Sequence, residues 1–259
     1  MSTASSTDAA AAGRVALVTG ASRPHGLGVA VARELAAHGF HAVLAGRDLD
    51  QTRLRAEELS AAGLAATAIR IDLSDHATIT EATARLGAEF GRLDALVHNA
   101  ALMPDWDTFR LLDADADRVR AAFEVCVFGP WALTQACLPL LEAAPAARVV
   151  TVSSGAAMQV RAGVALPRPV GAPGYSMAKF TAEALTASLA VELRDAGILV
   201  NSVDPGQFAS HPELGDDNDG RPTAESARWV AWAAMLPAGA PTGMLFEDGR
   251  TADLGAPTG

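Results

Sequence analysis

The sequence has little of what disulfide-bonded, membrane-spanning or nucleic-acid-binding proteins contain. It has two cysteines, and 20 basic residues stand against 30 acidic ones, which gives a formal net charge of −10. An acidic chain without a block of lysines and arginines is a poor binder of nucleic acid and of anionic membranes. We find no uniformly apolar run close to the roughly 20 residues that cross a bilayer. These absences predict a protein that binds neither nucleic acid nor a membrane.

The cysteines also indicate the compartment. If Cys126 and Cys137 lie on one helix, they are roughly 16 Å apart at about 1.5 Å per residue, which is too far for a disulfide. Two free thiols are typical of a reducing cytosol. The first residues lack the charged and apolar segments of a secretory signal. We therefore expect a cytoplasmic protein.

The length of 259 residues is enough for one domain with a core that needs no disulfide or metal. We predict a disordered tail over residues 1–13, a single domain over 14–250 and a second tail over 251–259. The histidines show no spacing typical of metal ligands, so we predict no metal site; those considered were His38, His41, His76 and His211.

Short apolar segments alternate with amphipathic segments throughout this domain, as in βαβ units with strands buried on both faces. We predict strands over residues 14–20, 41–45, 65–71, 93–97, 148–153, 198–203 and 243–246. Helices are predicted over residues 27–38, 49–62, 74–90, 116–142, 175–195 and 224–234. The predicted fold class is α/β, a single Rossmann-type, doubly wound parallel sheet with helices on both faces.

A glycine-containing loop joins the first strand to the first helix. Glycines permit positive φ and a close approach of backbone N–H groups, and a helix N-terminus after such a loop binds pyrophosphate. Ligands of open α/β sheets also bind at the carboxyl ends of the strands, where this loop lies. The predicted dinucleotide-binding residues in it are Gly20, Ser22, Arg23, Gly26, Leu27 and Gly28.

The end of the second strand indicates which dinucleotide is bound. Sites for the unphosphorylated ribose usually have an acidic residue there, whereas this chain has Arg47, with Arg23 in the glycine loop. Guanidinium groups bind phosphate in a bidentate manner, so the two arginines favour NADP. Asp48 directly follows Arg47 and leaves NAD as the alternative, because a small shift would present its carboxylate.

A tyrosine and a lysine predict the chemistry. Tyr175 and Lys179 are four residues apart at the start of a predicted helix, so their side chains share one face. A neighbouring cation stabilises a phenolate, and such a tyrosine can exchange a proton with a carbonyl or alcohol oxygen. Ser154 follows the preceding buried strand, where its hydroxyl can hydrogen-bond a substrate oxygen.

These motifs, in this order, resemble those of the short-chain dehydrogenase/reductase family over about residues 14–250. The C-terminal residues 223–250 are most similar to its carbonyl-reductase-like branch. The resemblance implies an NAD(P)-dependent enzyme for a small-molecule carbonyl or alcohol. Besides the glycine loop, the matching segments are Asp72, His98-Asn99-Ala100-Ala101, Ser153-Ser154, Tyr175-Ser176-Met177-Ala178-Lys179 and residues 200–206.

The resemblance also implies a role for each matching residue. Tyr175 would be the general acid/base, Lys179 would hold the nicotinamide ribose, and Ser154 would polarise the substrate carbonyl. Asn99 would support the sheet and the adenosine pocket, and Asp72 the adenine. Further cofactor contacts are expected at Leu73, Ala100, Pro205, Gly206 and Ser210.

Two features depart from the family. The first is in the glycine loop, where five residues separate Gly20 from Gly26 and the family usually has three. Pro24-His25 is therefore an insertion, which would either weaken cofactor binding or add His25 as a hydrogen-bond donor. Cys126 replaces an asparagine that helps the family hold an active-site water. We count Cys126 among the catalytic residues, and the alternative is a buried thiol that only packs.

The leading hypothesis is an NADP-dependent oxidoreductase that transfers a hydride between the nicotinamide cofactor and a ketone or aldehyde, or the matching alcohol. The alternatives are a redox-neutral enzyme of the same fold (a dehydratase, isomerase or cyclase) and a non-enzymatic nucleotide-binding domain. Met103, Trp106 and Phe109 are either substrate contacts or ordinary loop packing. The sequence leaves a homo-oligomer and a monomer equally open.

Overall fold

The computed structural model of the chain describes residues 13–162, 171–208 and 220–252. Several predictions fall outside these ranges: the N-terminal tail apart from Gly13, the C-terminal tail from residue 253, and the cofactor contact at Ser210.

Eight strands form one sheet in the order β3-β2-β1-β4-β5-β6-β7-β8, and all neighbours are parallel except β7 and β8. The strand order reverses between β1 and β4, and such a reversal opens a ligand-binding crevice at the carboxyl ends of the strands. The predicted fold class is confirmed. The strands are Arg14–Thr19 (β1), Phe40–Gly46 (β2), Ala66–Arg70 (β3), Ala95–His98 (β4), Arg148–Val152 (β5), Leu199–Asp204 (β6), Leu245–Glu247 (β7) and Arg250–Thr251 (β8).

Strand β8 corrects the predicted C-terminal boundary, because Thr251 pairs with β7 and does not belong to a tail. Asp248 and Gly249 join the two strands with φ of 49° and 73°. Positive φ at both central residues is the geometry of a two-residue type I′ hairpin turn, for which Asp-Gly is a preferred pair. The dipeptide was therefore a readable signal that the sequence analysis overlooked.

Helices cover both faces of the sheet. Ala16 and Val18 of β1 pack with the buried side chains of α1 and α8, whereas Val15 and Leu17 pack with those of α3 and α5. Successive residues of a strand point to opposite faces, so two core layers share each central strand. The helices are Leu27–Ala37 (α1), Leu49–Ala61 (α2), His76–Phe90 (α3), Ala116–Phe123 (α4), Gly129–Glu142 (α5), Gly155–Ala162 (α6), Pro173–Glu192 (α7) and Thr223–Ala234 (α8).

The helix predicted over residues 116–142 is interrupted. A π-helical turn, Glu124–Phe128, separates α4 from α5. By length and composition alone, Ala116–Glu142 is the one helix within the described ranges that could cross a membrane, which the sequence analysis did not anticipate. Its side chains Leu133 and Leu141 are fully buried against the sheet, as in the core helix of a globular domain. Helix α6 was not predicted.

Gly129, the first residue of α5, allows α5 to approach the end of β3. A Cβ atom on Gly129 would lie 2.5 Å from both the Cβ and the carbonyl oxygen of Leu73. Gly87 in α3 is different, because its nearest neighbour would be a Leu140 methyl group at 3.7 Å. One helical glycine is therefore required by packing, and the other is not.

We expect Gly129→Ala to lower the free energy of unfolding by about 1–3 kcal/mol, because the added methyl group overlaps Leu73. Gly87→Ala, the matched control, should raise it by about 1 kcal/mol through helix propensity. Urea unfolding of both variants measures the two changes. Equal effects of the same sign would contradict the described packing of α5.

Candidate active site

Hydrogen bonds join the carboxyl ends of β1 and β4. Thr19 Oγ1 donates to the Val97 carbonyl over 3.3 Å and accepts the N–H groups of Asn99 and Ala100, both over 3.1 Å. Asn99 Nδ2 donates to the carbonyl oxygens of Thr19 (2.8 Å) and Gly20 (3.3 Å). Asn99 therefore holds the first glycine of the loop against the end of β4.

The glycine loop depends on the small size of two of its residues. Gly20 has a φ of +69°, and a Cβ atom there would lie 2.7 Å from Ala100 Cα. A Cβ atom on Gly28 would lie 2.6 Å from both Asn99 Nδ2 and the Gly20 carbonyl oxygen. No larger residue fits either position without moving the loop away from β4.

The N-terminus of α1 offers backbone donors at the sheet edge. Gly26 is its N-cap and makes no side-chain capping bond, and the first turn contains no acidic residue. Such a helix end presents N–H groups and a partial positive charge, which suit a phosphate.

The inserted residues Pro24 and His25 are exposed. They lie in a turn that is closed by a hydrogen bond from the Gly26 N–H to the Arg23 carbonyl, over 3.1 Å. The insertion therefore points into solvent.

The carboxylate that complicated the choice between NADP and NAD has another partner. Asp48 is the N-cap of α2 and accepts the Gln51 N–H over 3.0 Å. Arg47 is exposed at the end of β2. The hydrogen bond from Ser74, with a smaller contribution from the Arg47 charge, lowers the pKa of Asp72 below its usual value. Arg47 and Asp72 thus lie near one another at this end of the sheet.

The other predicted cofactor residues lie at the same edge. Ser22 is adjacent to the end of β2, since a Cβ atom on Gly46 would be 3.2 Å from Ser22 Cβ. Leu27 is buried at the first position of α1, and Leu73 is buried beside Gly129. Their side chains belong to the core, so contact with a ligand is left to the backbone at these two positions.

Lys179 is fixed next to Tyr175. Its side chain is 3% exposed, and its Nζ donates to the carbonyl of Val152, the last residue of β5, over 2.7 Å. Nζ lies 5.7 Å from the centre of the Tyr175 ring, and that ring is half-buried. The structure therefore brings the predicted phenol and ammonium groups together at the carboxyl end of β5.

Composition also singles out this pair. Tyr175 is the only tyrosine in the chain, and Lys179 is the only lysine, all other Lys/Arg positions being arginine. A planar guanidinium cannot reproduce a compact ammonium group inside such a confined space. The unique lysine was a signal available in the sequence that the sequence analysis did not use.

The two serines after β5 have different partners. Ser153 is buried, and its hydroxyl donates to the Glu183 carboxylate. Ser154 is half-buried, and its hydroxyl accepts the Ala156 N–H over 3.2 Å at the start of α6. Ser154 is therefore the more accessible hydroxyl of the two.

Glu183 is a buried acid that the sequence analysis missed. It lies one helical turn after Lys179 and receives hydrogen bonds from both Ser153 and Arg161 of α6. Burial raises the pKa of Glu183 above its usual value, against the opposing effect of these partners. The carboxylate links Ser153, the residue after β5, with α6 and α7, and no local sequence pattern predicts it.

The first turn of α7, which carries Tyr175, is capped from a distant loop. Asp105 is fully buried, and its two carboxylate oxygens accept the N–H groups of Gly174 (2.5 Å) and Tyr175 (3.3 Å). The N-cap residue Ala172 makes no side-chain capping bond. Asp105 was not among the predicted residues, and no spacing in the sequence connects it to α7.

The turn after β6 is held by an arginine. Gly206 has a φ of +67°, and its N–H donates to Asp204 Oδ1 over 2.9 Å. Arg221 donates to the Pro205 carbonyl and forms an ion pair with Asp248. Burial raises the pKa of Asp204 above its usual value, and Arg221 counteracts part of that effect. The predicted residues Pro205 and Gly206 therefore lie in a fixed turn.

Cys126 has the surroundings of a packed thiol. It is buried in the π-helical turn, with Sγ 3.9 Å from the Leu102 carbonyl oxygen. Within the described ranges, no hydrogen bond joins it to Tyr175 or Lys179. Cys126 and Cys137 are both free, and burial raises the pKa of the Cys137 thiol to about 12.

His98 is a neutral structural residue at the end of β4. Its Nε2 lies 2.8 Å from Thr134 Oγ1, and that hydroxyl donates to the Pro130 carbonyl. The Nε2 atom must therefore carry the proton. Burial lowers the pKa of His98 to about 3. Among the residues described, no group of three or more His, Cys, Asp or Glu side chains is arranged to hold a metal ion.

A comparison with known protein families identifies the chain. The family model described as short chain dehydrogenase matches residues 14–215. The chain belongs to the short-chain dehydrogenase family. This confirms the resemblance predicted from the order of the motifs.

Curated relatives of this short-chain dehydrogenase are similar over most of its length. It is 34% identical over 194 residues to oxidoreductase UcpA of Salmonella typhimurium, covering 75% of this chain and 69% of that protein. It is 32% identical over 202 residues to trans-4-hydroxycyclohexanecarboxylate dehydrogenase of Sinomonas cyclohexanicum, covering 74% and 71%. The prediction that the chain is an enzyme of this family is confirmed.

Solved structures show the same fold. A short-chain dehydrogenase from Shigella flexneri complexed with NADP is 26% identical, with a TM-score of 0.79 and coverage of 92% of this chain and 97% of that one. One from Escherichia coli complexed with NADPH is 26% identical, with a TM-score of 0.79 and coverage of 91% and 96%.

The buried His98 predicts a pH-dependent stability for this short-chain dehydrogenase. Its pKa is depressed in the folded state, so on acidification the unfolded chain binds a proton that the folded chain does not. The stabilisation is complete above about pH 6.5 and falls as the pH drops toward 3. When the pH falls from 7 to 5, the free energy of unfolding therefore decreases by about 2 kcal/mol because of His98 alone.

We expect His98→Gln to be less stable than the wild type at pH 7, with a difference that shrinks by about 2 kcal/mol at pH 5. Urea unfolding at the two pH values measures it. Parallel pH profiles of the two proteins would contradict the neutral, buried state of His98.

Proposed function

We propose that this short-chain dehydrogenase is an NADP-dependent oxidoreductase that interconverts a ketone or aldehyde and the corresponding alcohol. The observation that carries the proposal is the placement of the Lys179 ammonium between the end of β5 and the Tyr175 ring. A phenol beside a fixed cation, at the edge of the sheet where ligands bind, is suited to donate a proton to a carbonyl oxygen.

The donor set at the sheet edge fits a phosphorylated dinucleotide. The uncapped N-terminus of α1 and the glycine loop supply backbone donors for a pyrophosphate. Arg47 is exposed at the end of β2, whereas the carboxylate of Asp48 is engaged in capping α2. A guanidinium at this position favours a 2′-phosphate. Two similar solved structures contain NADP or NADPH, which agrees with this assignment.

NADPH, when bound, supplies the hydride that the carbonyl carbon receives. Tyr175 donates its phenolic proton to the carbonyl oxygen, and Lys179 stabilises the phenolate that remains. Ser154, the accessible serine after β5, donates a hydrogen bond to the same oxygen, since its hydroxyl accepts the Ala156 N–H with a lone pair and keeps its proton to donate. In the reverse direction the Tyr175 phenolate accepts the proton of the alcohol.

The loop after β4 indicates the chemical character of the substrate. Met103, Trp106 and Phe109 have exposed fractions of 48%, 67% and 69%, and such apolar side chains on one loop favour an apolar ligand. We propose a bulky apolar carbonyl compound. Assignment to the carbonyl-reductase-like branch and a cytoplasmic location stay predictions.

We expect Arg47→Ala to weaken NADPH binding about tenfold or more, because a charge-assisted contact to the 2′-phosphate is lost. NADH binding should change less than about twofold, since NADH has no phosphate there. Titration of nicotinamide fluorescence with each cofactor measures both values. Asp48→Ala is the control, which loses the α2 cap but should keep the preference for NADPH. An equal loss for both cofactors in Arg47→Ala would argue against a 2′-phosphate contact.

We expect Tyr175→Phe to lower turnover in a screen of apolar ketones and aldehydes by about 100-fold or more, because the proton donor is removed. NADPH affinity should stay within about twofold, since the ring is retained. Consumption of NADPH and fluorescence titration measure the two quantities. Wild-type turnover in the variant would eliminate Tyr175 as the acid. Tight NADPH binding without any carbonyl reduction by the wild type would favour a redox-neutral reaction.

A further inference from the structure

The carboxylate of Asp105 lies at the N-terminus of the helix that carries Tyr175. We propose that Asp105 is a positioning residue of the active site, which fixes the first turn of α7 and thereby the direction of the Tyr175 side chain. The inference rests on the proposed function, since it concerns how the proposed acid is held.

Helix α7 lacks a cap of its own. Its N-cap residue, Ala172, has no polar side chain and lies in the left-handed region, with φ of 45°. Pro173 has no N–H, and the Ser176 N–H already bonds the Ala172 carbonyl over 2.9 Å. The first-turn donors that remain are the N–H groups of Gly174 and Tyr175. Unpaired backbone donors at a buried helix end are strongly unfavourable.

Asp105 satisfies both of these donors from 69 and 70 residues away. Its Oδ2 accepts the Gly174 N–H over 2.5 Å, and its Oδ1 accepts the Tyr175 N–H over 3.3 Å. The side chain is completely buried. A negative charge at the positive end of a helix, bonded to two N–H groups, is a favourable way to bury a carboxylate.

Glycine at position 174 makes this contact possible. A Cβ atom there would lie 2.9 Å from Asp105 Oδ2 and 2.9 Å from Val119 Cγ2 of α4. The helix end is therefore wedged between the carboxylate and α4. Because Tyr175 is the next residue, its backbone has little freedom to rotate.

The loop that carries Asp105 is itself anchored. Arg118 of α4 donates to the Pro104 carbonyl over 2.6 Å and pairs with Asp107 over 2.7 Å. The Thr108 N–H donates to the Asp105 carbonyl, and the Thr108 carbonyl accepts the Ala172 N–H, both over 2.9 Å. Backbone and side chain of this loop thus both hold the start of α7.

The position of Tyr175 relative to Lys179 depends on this anchor. Lys179 is in the second turn of α7 and is bound independently to the end of β5. Tyr175 is the third residue of the helix, where fraying begins when a cap is lost. Loss of the Asp105 carboxylate therefore lets the phenol move away from a cation that stays in place.

The test uses two variants and a control that loses a helix cap elsewhere in the fold. Asp105→Ala removes both acceptors, and Asp105→Asn keeps one carbonyl oxygen, which also covers the case in which the alanine variant does not fold. The control is Asp75→Ala, because Asp75 caps α3 by accepting the Ala77 N–H over 3.1 Å, and α3 packs against α5 and β3. Each substitution to alanine removes a carboxylate that caps a helix.

The first readout needs no substrate. Since Tyr175 is the only tyrosine, protein made with ring-¹³C tyrosine gives the NMR signals of that side chain alone. We expect them to shift and broaden in Asp105→Ala, less so in Asp105→Asn, and to stay unchanged in Asp75→Ala. Unchanged signals in both Asp105 variants would overturn the proposal, whatever reaction the protein catalyses.

The second readout is turnover with NADPH and a carbonyl substrate. We expect kcat to fall about 100-fold in Asp105→Ala, as for a reacting group displaced by about 1 Å, and less in Asp105→Asn. The Kd of NADPH should stay within about twofold in all variants, and Asp75→Ala should keep wild-type kcat despite a fall in Tm. Equal kcat losses in Asp105→Ala and Asp75→Ala would reduce Asp105 to a stability residue and overturn the proposal. If the wild type reduces no carbonyl, the proposed function fails, while the NMR readout still decides on Asp105.

Discussion

The hydrogen bonds between Thr19 and the start of the loop after β4 are the constraint on which the rest of the site depends. The Thr19 hydroxyl donates its proton to the Val97 carbonyl and accepts the N–H groups of Asn99 and Ala100 with its lone pairs. This joins β1 to β4 at the point where the strand order reverses. The crevice at the sheet edge thus has a fixed base, and Asn99 extends that base to the glycine loop.

The site is built on buried charges that share partners. Lys179 contributes to holding the pKa of Asp204 down, against the larger effect of burial, and Glu183 lies one helical turn further along α7. Arg161 and the Ser153 hydroxyl satisfy Glu183, and the Val152 carbonyl satisfies Lys179. Buried charges that lack hydrogen-bonded partners are costly. Lys179 and Glu183 each have a partner at the end of β5 or in α6, so the position of the ammonium follows from several elements together.

The parts of the structure that could be predicted are those that depend on residues close together in the sequence. Buried strands are continuously apolar, and Asp75 caps α3 in the way that its position before an apolar periodic segment suggests. The strands of the sheet and the Tyr175–Lys179 pair were accessible for this reason. Asp105 and Glu183 were not, because their partners lie 69 and 30 residues away. Helix α6 is short and starts at Gly155, so its stability comes from packing against α7 and not from its own sequence.

The clamp formed by Arg221 has a consequence for how the protein can diversify. Phe208 and Arg221 pair as an isolated bridge, and Arg221 also binds the Pro205 carbonyl and Asp248. One guanidinium thus joins the turn after β6 to the turn between β7 and β8. A relative that replaces Asp248 or reshapes the turn at Pro205 removes a partner of the same arginine, so the two turns are expected to change together.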